Sequence, residues 1–132
     1  MSGYSVLAIV EVPDVLGDYP GEMRLLTSQL GSEQVAITYR TLPPGTGQLK
    51  GRETGHRHKT QEEIYFLIEG RVRVKLDDDV IELGPRTALR IAPEVTRSMW
   101  NDGDEEAVLL LVSTHEVDPR QDAEVVPDFW PE

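Results

Sequence analysis

The fold of this chain is decided by residues 55–70, which read Gly55-His56-Arg57-His58-Lys59-Thr60-Gln61-Glu62-Glu63-Ile64-Tyr65-Phe66-Leu67-Ile68-Glu69-Gly70. Two of the three histidines, His56 and His58, lie here, and in an extended backbone their spacing puts both imidazoles on one face. Glu63 follows at the start of an apolar run. Two imidazoles and one carboxylate that converge from one face can bind a divalent first-row metal and leave coordination positions open. We therefore predict a metal site at His56, His58 and Glu63.

The composition is typical of an ordinary soluble chain with an acidic surface. Its 132 residues suit one domain with a real core, and 39% apolar and 28% charged residues are typical of globular proteins. There are no cysteines, which excludes disulfides and thiolate metal sites and fits a reducing compartment. The net charge of -11 would repel phosphates, so we expect no nucleic acid partner.

The N-terminal residues carry no pattern of a secretory signal. The apolar run 6–10 is too short for a signal core and lacks a preceding basic region, and no stretch approaches the length of a membrane span. We expect a cytoplasmic protein that does not contact membranes. Basic residues surround the histidines, and attraction of an anionic small molecule stays open beside the alternative of solvated turns. They are Lys50, Arg52, Arg57 and Lys59.

Short alternating segments separated by turn residues predict the architecture. Apolar and polar residues alternate in 34–42, 71–76 and 87–92, while 107–113 is apolar on both faces and so predicts a central strand. Gly70 permits a tight turn through positive φ. Roughly eight such strands without a long helical period predict an all-β sandwich or barrel.

Two flanking segments complete the predicted organisation. Residues 5–12 predict a first strand, at an edge or exchanged with a second subunit, and 23–30 is ambiguous between helix and strand but favours a strand. Phe129 and Trp130 predict that the C-terminal tail docks on the barrel or on a partner. His115 lies beyond the last predicted strand and is interpreted as a structural or surface histidine. The predicted units are residues 1–33, which could form a dimer, the barrel 34–113, and the tail 114–132.

The central residues resemble the cupin superfamily, in its small single-domain type. The first cupin motif is matched by His56-x-His58, four residues, Glu63, six residues and Gly70. The resemblance covers roughly residues 34–113. It implies a double-stranded β-helix, or jelly-roll barrel, of mostly antiparallel strands, and a homodimer.

The second cupin motif keeps its spacing but not its residues. Its positions fall on Arg86, Ala92, Glu94, Arg97 and Asn101, and only Asn101 matches. Arg97 stands where a cupin would place its last metal-binding histidine, and a guanidinium stays protonated and cannot bind a metal. The remaining set resembles the facial triad that holds Fe(II), and it also accepts Mn, Ni or Zn.

Arg97 leaves two interpretations open. It could clamp a carboxylate, phosphate or enolate of a ligand, or it could pair with Glu63 and fill the site without any metal. Tyr65 lies on the face of Glu63, and we predict that it contacts the substrate together with Arg97, Arg40 and Gln48; core packing is an equal alternative for Tyr65.

Three functions are compatible with this site. The first is a metal-dependent enzyme of the oxygenase or isomerase type that acts on a small anionic molecule. The second is a non-catalytic small-molecule-binding cupin that has lost its metal, with Arg97 filling the site. The third is a structural or assembly role. The fold alone does not choose among them.

Overall fold

The structure is a computed structural model that describes residues 3–49, 51–115 and 119–131, and the side chains of 119 and 120 are outside this description. Within these residues the chain forms eleven strands and two short helices. The strands are β1 (Glu22–Leu25), β2 (Val35–Leu42), β3 (Thr46–Gly47), β4 (Gly55–His58), β5 (Glu63–Glu69), β6 (Val72–Leu76), β7 (Asp79–Leu83), β8 (Thr87–Ile91), β9 (Arg97–Asn101), β10 (Ala107–Thr114) and β11 (Ala123–Val126). The helices are α1 (Leu26–Leu30) and α2 (Pro119–Asp122).

Two antiparallel sheets form the protein. One has the order β1-β2-β10-β5-β8, and the other has the order β11-β4-β9-β6-β7, with β3 paired to β9. Every registered pair of strands is antiparallel. The prediction of an all-β fold built from mostly antiparallel strands is confirmed.

The core lies between the two sheets, and its buried positions alternate along the strands. Leu67 of β5, Val74 of β6 and Leu109 of β10 are fully buried at positions that alternate with more exposed ones. Burying one such side chain contributes about 1.5–3 kcal/mol. Met99 of β9 and Tyr65 of β5 belong to the same cluster.

Gly70 makes the turn between β5 and β6 possible. Its φ is +85°, and a Cβ at this position would lie 2.6 Å from the carbonyl oxygen of Glu106. The predicted turn therefore needs glycine both for its backbone conformation and for space.

The predicted strand over residues 5–12 is wrong. Its second half contains a short 3-10 helix, Ile9–Glu11, and Val6 and Val10 are 89% and 84% exposed. The composition favours a strand, but no neighbouring strand in the described part of the chain offers it a ladder of hydrogen bonds. That this segment joins a second copy of the chain stays a prediction.

The ambiguous segment 23–30 divides into two elements. Its first residues belong to β1, and α1 follows and ends at Gly31 in the left-handed conformation. The hydroxyl of Thr27 accepts a hydrogen bond from the backbone N–H of Ile37 at 2.9 Å, which replaces the ladder that a longer strand would provide.

The C-terminal segment adds a strand that the sequence did not predict. β11 pairs with β4, and Trp130 is 8% exposed between the guanidinium groups of Arg52 and Arg73, at 5.1 and 5.6 Å from the ring centre. Such cation–aromatic contacts stabilise by about 0.5–2 kcal/mol each. Within the described residues, no helix combines the length and the apolar character that crossing a membrane would require.

Candidate metal site

The three predicted metal ligands meet between the two sheets. His56 and His58 lie on one face of β4, and Glu63 is the first residue of β5 in the opposite sheet. One donor atom from each residue lies within 4.8 Å of the other two. Glu62, the alternative acid in the sequence, instead pairs with Arg90 at the surface.

The distances in this cluster suit a shared ion. The Nε2 atoms of His56 and His58 lie 3.8 and 3.0 Å from Oε1 of Glu63. The two rings are nearly perpendicular, with an angle of 84° and centroids 5.2 Å apart. Two imidazole nitrogens and a carboxylate oxygen that face one another form a donor set that a divalent first-row metal accepts. The residues present therefore fit a metal ion.

Arg97 is the immediate neighbour of this cluster and is fully buried. Its Nη1 donates to Oε1 of Glu63 at 2.7 Å. Its Nη2 donates to the carbonyl oxygens of Ala92, Pro93 and Val95 at 2.9, 3.2 and 2.8 Å, and its Nε also donates to Val95. These contacts hold the guanidinium against Glu63, and Arg97 is not among the residues that line the cavity described below.

The environment of Glu63 keeps its carboxylate ionised. Burial alone would raise its pKa, but the adjacent imidazoles of His56 and His58 and the charge of Arg97 hold the pKa of this carboxyl well below its usual range. A metal ion would thus meet a carboxylate that is already charged and already has a cationic neighbour.

Sequence reasoning missed Asp122, which lies directly behind His58. Its Oδ2 is 3.1 Å from Nδ1 of His58, and its side chain also accepts hydrogen bonds from Thr60 and Gln61. Burial of Asp122 opposes ionisation, but the hydrogen bonds from Thr60, Gln61 and His58 lower its pKa. Asp122 is 64 positions from His58, and no local sequence pattern reports such a contact.

A cavity of about 610 Å³ opens above the cluster. Its size lies within the range of sites for small organic ligands. Apolar, neutral polar and histidine side chains from both sheets and from α1 line it, with Glu63 at its floor. The lining residues are Met23, Leu25, Thr27, Ser28, Ala36, Thr38, Gln48, Leu49, His56, His58, Gln61, Glu63, Leu111, Ser113, His115, Ala123 and Val125.

His115 lies in this cavity wall, a position that its interpretation as a structural or surface histidine did not specify. It is half-buried, and its Nδ1 is buried without a hydrogen-bond partner among the residues that the structure describes. The signal was present in the sequence, because Leu111, Ser113 and His115 continue the alternation of β10 on one face. β2 leaves room opposite by presenting the small Ala36 and Thr38.

The remaining predicted substrate contacts lie at different depths. Gln48 lines the cavity, and Tyr65 is fully buried beneath it and donates from its hydroxyl to Oε1 of Gln48 at 3.1 Å. Burial raises the pKa of Tyr65 well above its ordinary value, and the charge of Glu63 adds to this rise. Arg40 is fully buried outside the lining and donates to carbonyl oxygens, among them that of Thr41 at 2.9 Å. Direct ligand contacts of Tyr65, Arg40 and Arg97 stay predictions.

Comparison with known proteins assigns the family. Residues 38–113 match the family model described as a cupin domain. The chain belongs to the cupin family, as the first motif predicted. An uncharacterized protein of Methanocaldococcus jannaschii is 35% identical over 49 residues, which are 37% of this chain and 39% of that protein's length.

Structural alignments with solved proteins of this fold include most of the chain. A cupin protein of Bacteroides fragilis has a TM-score of 0.70 at 24% identity, covering 89% of each chain. A sugar phosphate isomerase from the cupin superfamily of Silicibacter pomeroyi has a TM-score of 0.73 at 17% identity, covering 93% of this chain and 92% of that one. The polyketide cyclase RemF of Streptomyces resistomycificus has a TM-score of 0.72 at 20% identity, covering 97% and 87%. These likenesses establish the double-stranded β-helix fold.

Proposed function

We propose that this chain is a metal-binding cupin that holds a divalent ion with His56, His58 and Glu63 and takes a small organic molecule into the cavity above them. The observation that carries the proposal is the convergence of three donor atoms, each within 4.8 Å of the others, at the floor of a cavity. A bound ion would supply Lewis-acid polarisation of a ligand oxygen or, if redox-active, oxygen activation.

The charge balance around the ion favours an anionic ligand. Arg97 neutralises Glu63 at 2.7 Å, and the two imidazoles are neutral when they bind a metal. A divalent ion would therefore keep most of its charge in a partly buried place, and a ligand carboxylate, phosphate or enolate would offset it. The attraction for an anion comes from the ion, because Arg97 itself is held against Glu63 outside the cavity lining.

The residues that line the cavity indicate the chemical character of the rest of the ligand. Met23, Leu25, Leu49 and Leu111 offer apolar surface, and the described lining contains no lysine or arginine. Gln48, Gln61 and His115 supply hydrogen-bonding groups that would orient a ligand. We therefore propose a ligand with an apolar body and one anionic or enolisable oxygen group. Of the two enzymes named above, the polyketide cyclase suits this description better than the sugar phosphate isomerase.

A second candidate function is favoured by the contact between Arg97 and Glu63. A guanidinium 2.7 Å from Oε1 already satisfies the carboxylate that a metal would need. In this alternative the barrel binds its ligand without metal and performs no chemistry. The two candidates differ in one measurable property, the metal content of the purified protein.

The test is elemental analysis of protein purified without chelator. We expect close to one divalent ion per chain in the wild type and none in His58→Ala, because that change removes a donor. His115→Ala is the matched control, since it removes a histidine from the same cavity but outside the cluster, and it should keep the metal. A metal-free wild type together with a metal-bound Arg97→His would contradict the first candidate and support the second.

The ligand class is tested by thermal shift with small organic acids on metal-loaded protein. Acids with an apolar body should raise the melting temperature more than sugar phosphates do, because apolar walls do not compensate the loss of hydration of hydroxyl groups. An equal response to both classes would contradict the proposed ligand chemistry and leave the metal site untouched.

A further inference from the structure

The C-terminal segment places a carboxylate behind one of the two proposed metal-binding histidines. Asp122 is 7% exposed and lies outside the family-matched residues 38–113. We propose that Asp122 is a positioning residue that orients the ring of His58 and commits its Nε2 to the metal. This inference rests on the proposed function and names a part of the site that the cupin motifs do not contain.

The chemistry of the contact determines which nitrogen of His58 is free to bind. A carboxylate 3.1 Å from Nδ1 accepts the hydrogen on that nitrogen, and Nδ1 is the nitrogen that carries the hydrogen when Nε2 binds a metal ion. Nε2 lies 3.0 Å from Oε1 of Glu63, so its lone pair would face an ion that the two residues share. Carboxylates that accept from the distal nitrogen of a metal-binding histidine fix its tautomer and make it a better donor.

The remaining hydrogen bonds fix the carboxylate in place. Oδ1 accepts from the backbone N–H and the hydroxyl of Thr60 at 2.9 and 2.6 Å, and Oδ2 also accepts from the N–H of Gln61 at 3.0 Å. The carbonyl oxygen of Asp122 accepts from Lys59 N–H at 2.9 Å. These bonds show an alternative role, in which Asp122 only closes the turn after β4, and the test must separate the two roles.

The segment that follows Asp122 is held at two places. β11 pairs Ala123 with His58 and Val125 with His56, so the strand that follows Asp122 lies against the strand of the ligands. Further along, the ring of Phe129 lies 4.2 Å from Nζ of Lys75. The position of Asp122 is therefore set by strand pairing as well as by its own hydrogen bonds.

The experiment compares Asp122→Asn with Glu124→Gln. Both replace an acid by its amide on the same segment, but Glu124 faces outward and pairs with Arg57 at 3.1 Å where both side chains are more than 40% exposed. The asparagine can keep an oxygen toward Thr60 while presenting an NH₂ group to Nδ1 of His58, which favours the hydrogen on Nε2 and blocks the donor.

Zn²⁺ affinity, measured by competition with a chelator, is the first readout. We expect Asp122→Asn to bind Zn²⁺ roughly 10–100-fold more weakly than the wild type, and Glu124→Gln to bind like the wild type. Unchanged affinity in Asp122→Asn with a lowered melting temperature would overturn the inference, because it would assign Asp122 to the turn alone.

The nitrogen of His58 that binds the ion, read from ¹⁵N chemical shifts of Zn²⁺-loaded protein, is the second readout. We expect Nε2 bound to Zn²⁺ and the hydrogen on Nδ1 in the wild type; Zn²⁺ bound to Nδ1 in the wild type would overturn the inference even if the variant failed to fold. A wild type that binds no Zn²⁺ would refute the proposed function, whereas a wild type that binds Zn²⁺ no more tightly than Asp122→Asn would refute the inference alone.

Discussion

The family-matched barrel and the segments that flank it contribute different things to the same cavity. Residues 38–113 supply the three candidate metal ligands at the cavity floor, and also Arg97, which contacts Glu63 from outside the lining. The flanks supply much of the wall, together with Asp122 behind His58. The wall residues from the flanks are Met23, Leu25, Thr27, Ser28, Ala36, His115, Ala123 and Val125. The difference teaches that the candidate metal ligands lie within the family pattern, while much of the cavity lining comes from sequence outside it.

The largest effect on stability is expected from removing the buried positive charge of Arg97 beside Glu63. Arg97→Leu should lower the free energy of unfolding by about 3–5 kcal/mol, because Glu63 loses the cation that compensates it in a buried place. Denaturant unfolding of metal-free protein measures this loss. Arg90→Leu breaks the exposed pair with Glu62 and should cost less than about 1 kcal/mol. Equal losses in the two variants would show that Arg97 is not a structural counter-ion.

A second comparison separates stability from ligand binding. Leu109→Ala in the barrel should cost about 3 kcal/mol of stability, because it opens a cavity at a fully buried position. Leu25→Ala in the flank should cost much less, since Leu25 is 42% exposed. Leu25→Ala should instead weaken the binding of anilinonaphthalene sulfonate, an apolar anionic probe, measured by fluorescence. If Leu25→Ala lowered stability more than Leu109→Ala did, and left probe binding unchanged, the proposed difference in role between barrel and flanks would be wrong.

A smaller effect is expected from filling the cavity from the flank. Ala36→Trp would place a large ring in the cavity and should weaken binding of the same probe at least about tenfold, which corresponds to about 1.4 kcal/mol. The metal content should not change, because Ala36 does not belong to the ligand cluster. Val35→Trp on the exposed side of the same strand is the control. Loss of metal in Ala36→Trp would show that wall and floor are not independent.

The smallest effect concerns acid sensitivity of the N-terminal flank. Hydrogen bonds from the backbone N–H groups of Met23 and Leu16 lower the pKa of Asp14 below its ordinary value. A lowered folded-state pKa contributes stability that is present above the unfolded pKa of about 3.9 and is lost as the pH falls through the folded value. Asp14→Asn should therefore reduce the slope of stability against pH below about pH 4. An unchanged slope would contradict this assignment.

The sequence was most informative where local pattern and tertiary partner agree. β5 has the predicted bounds, Glu63 to Glu69, because its apolar run is flanked by Gly70 and by the histidine motif. The same residue types in 5–12 do not form a strand, because strand formation needs a neighbouring edge that the sequence does not show. For β10, the alternation extends to His115, and following it would have placed this residue in the cavity wall.

Contacts between distant segments could not be predicted from one sequence. Pairing of Arg97 with Glu63 was one of two interpretations that the sequence left open, and the fold shows this contact together with donors to backbone carbonyls that no spacing indicated. The pairing of β11 with β4, and with it the approach of Asp122 to His58, joins residues 64 positions apart. Such pairings depend on topology, which propensity and spacing do not encode.

The resident guanidinium beside Glu63 has a practical consequence for handling the protein. Small zinc-dependent domains fold when they bind the ion and unfold when it is removed. Here the acid at the floor has its own permanent counter-charge, and the apolar core lies below it. Treatment with a chelator should consequently leave a folded, metal-free protein. A different metal ion could then be added without unfolding and refolding the chain.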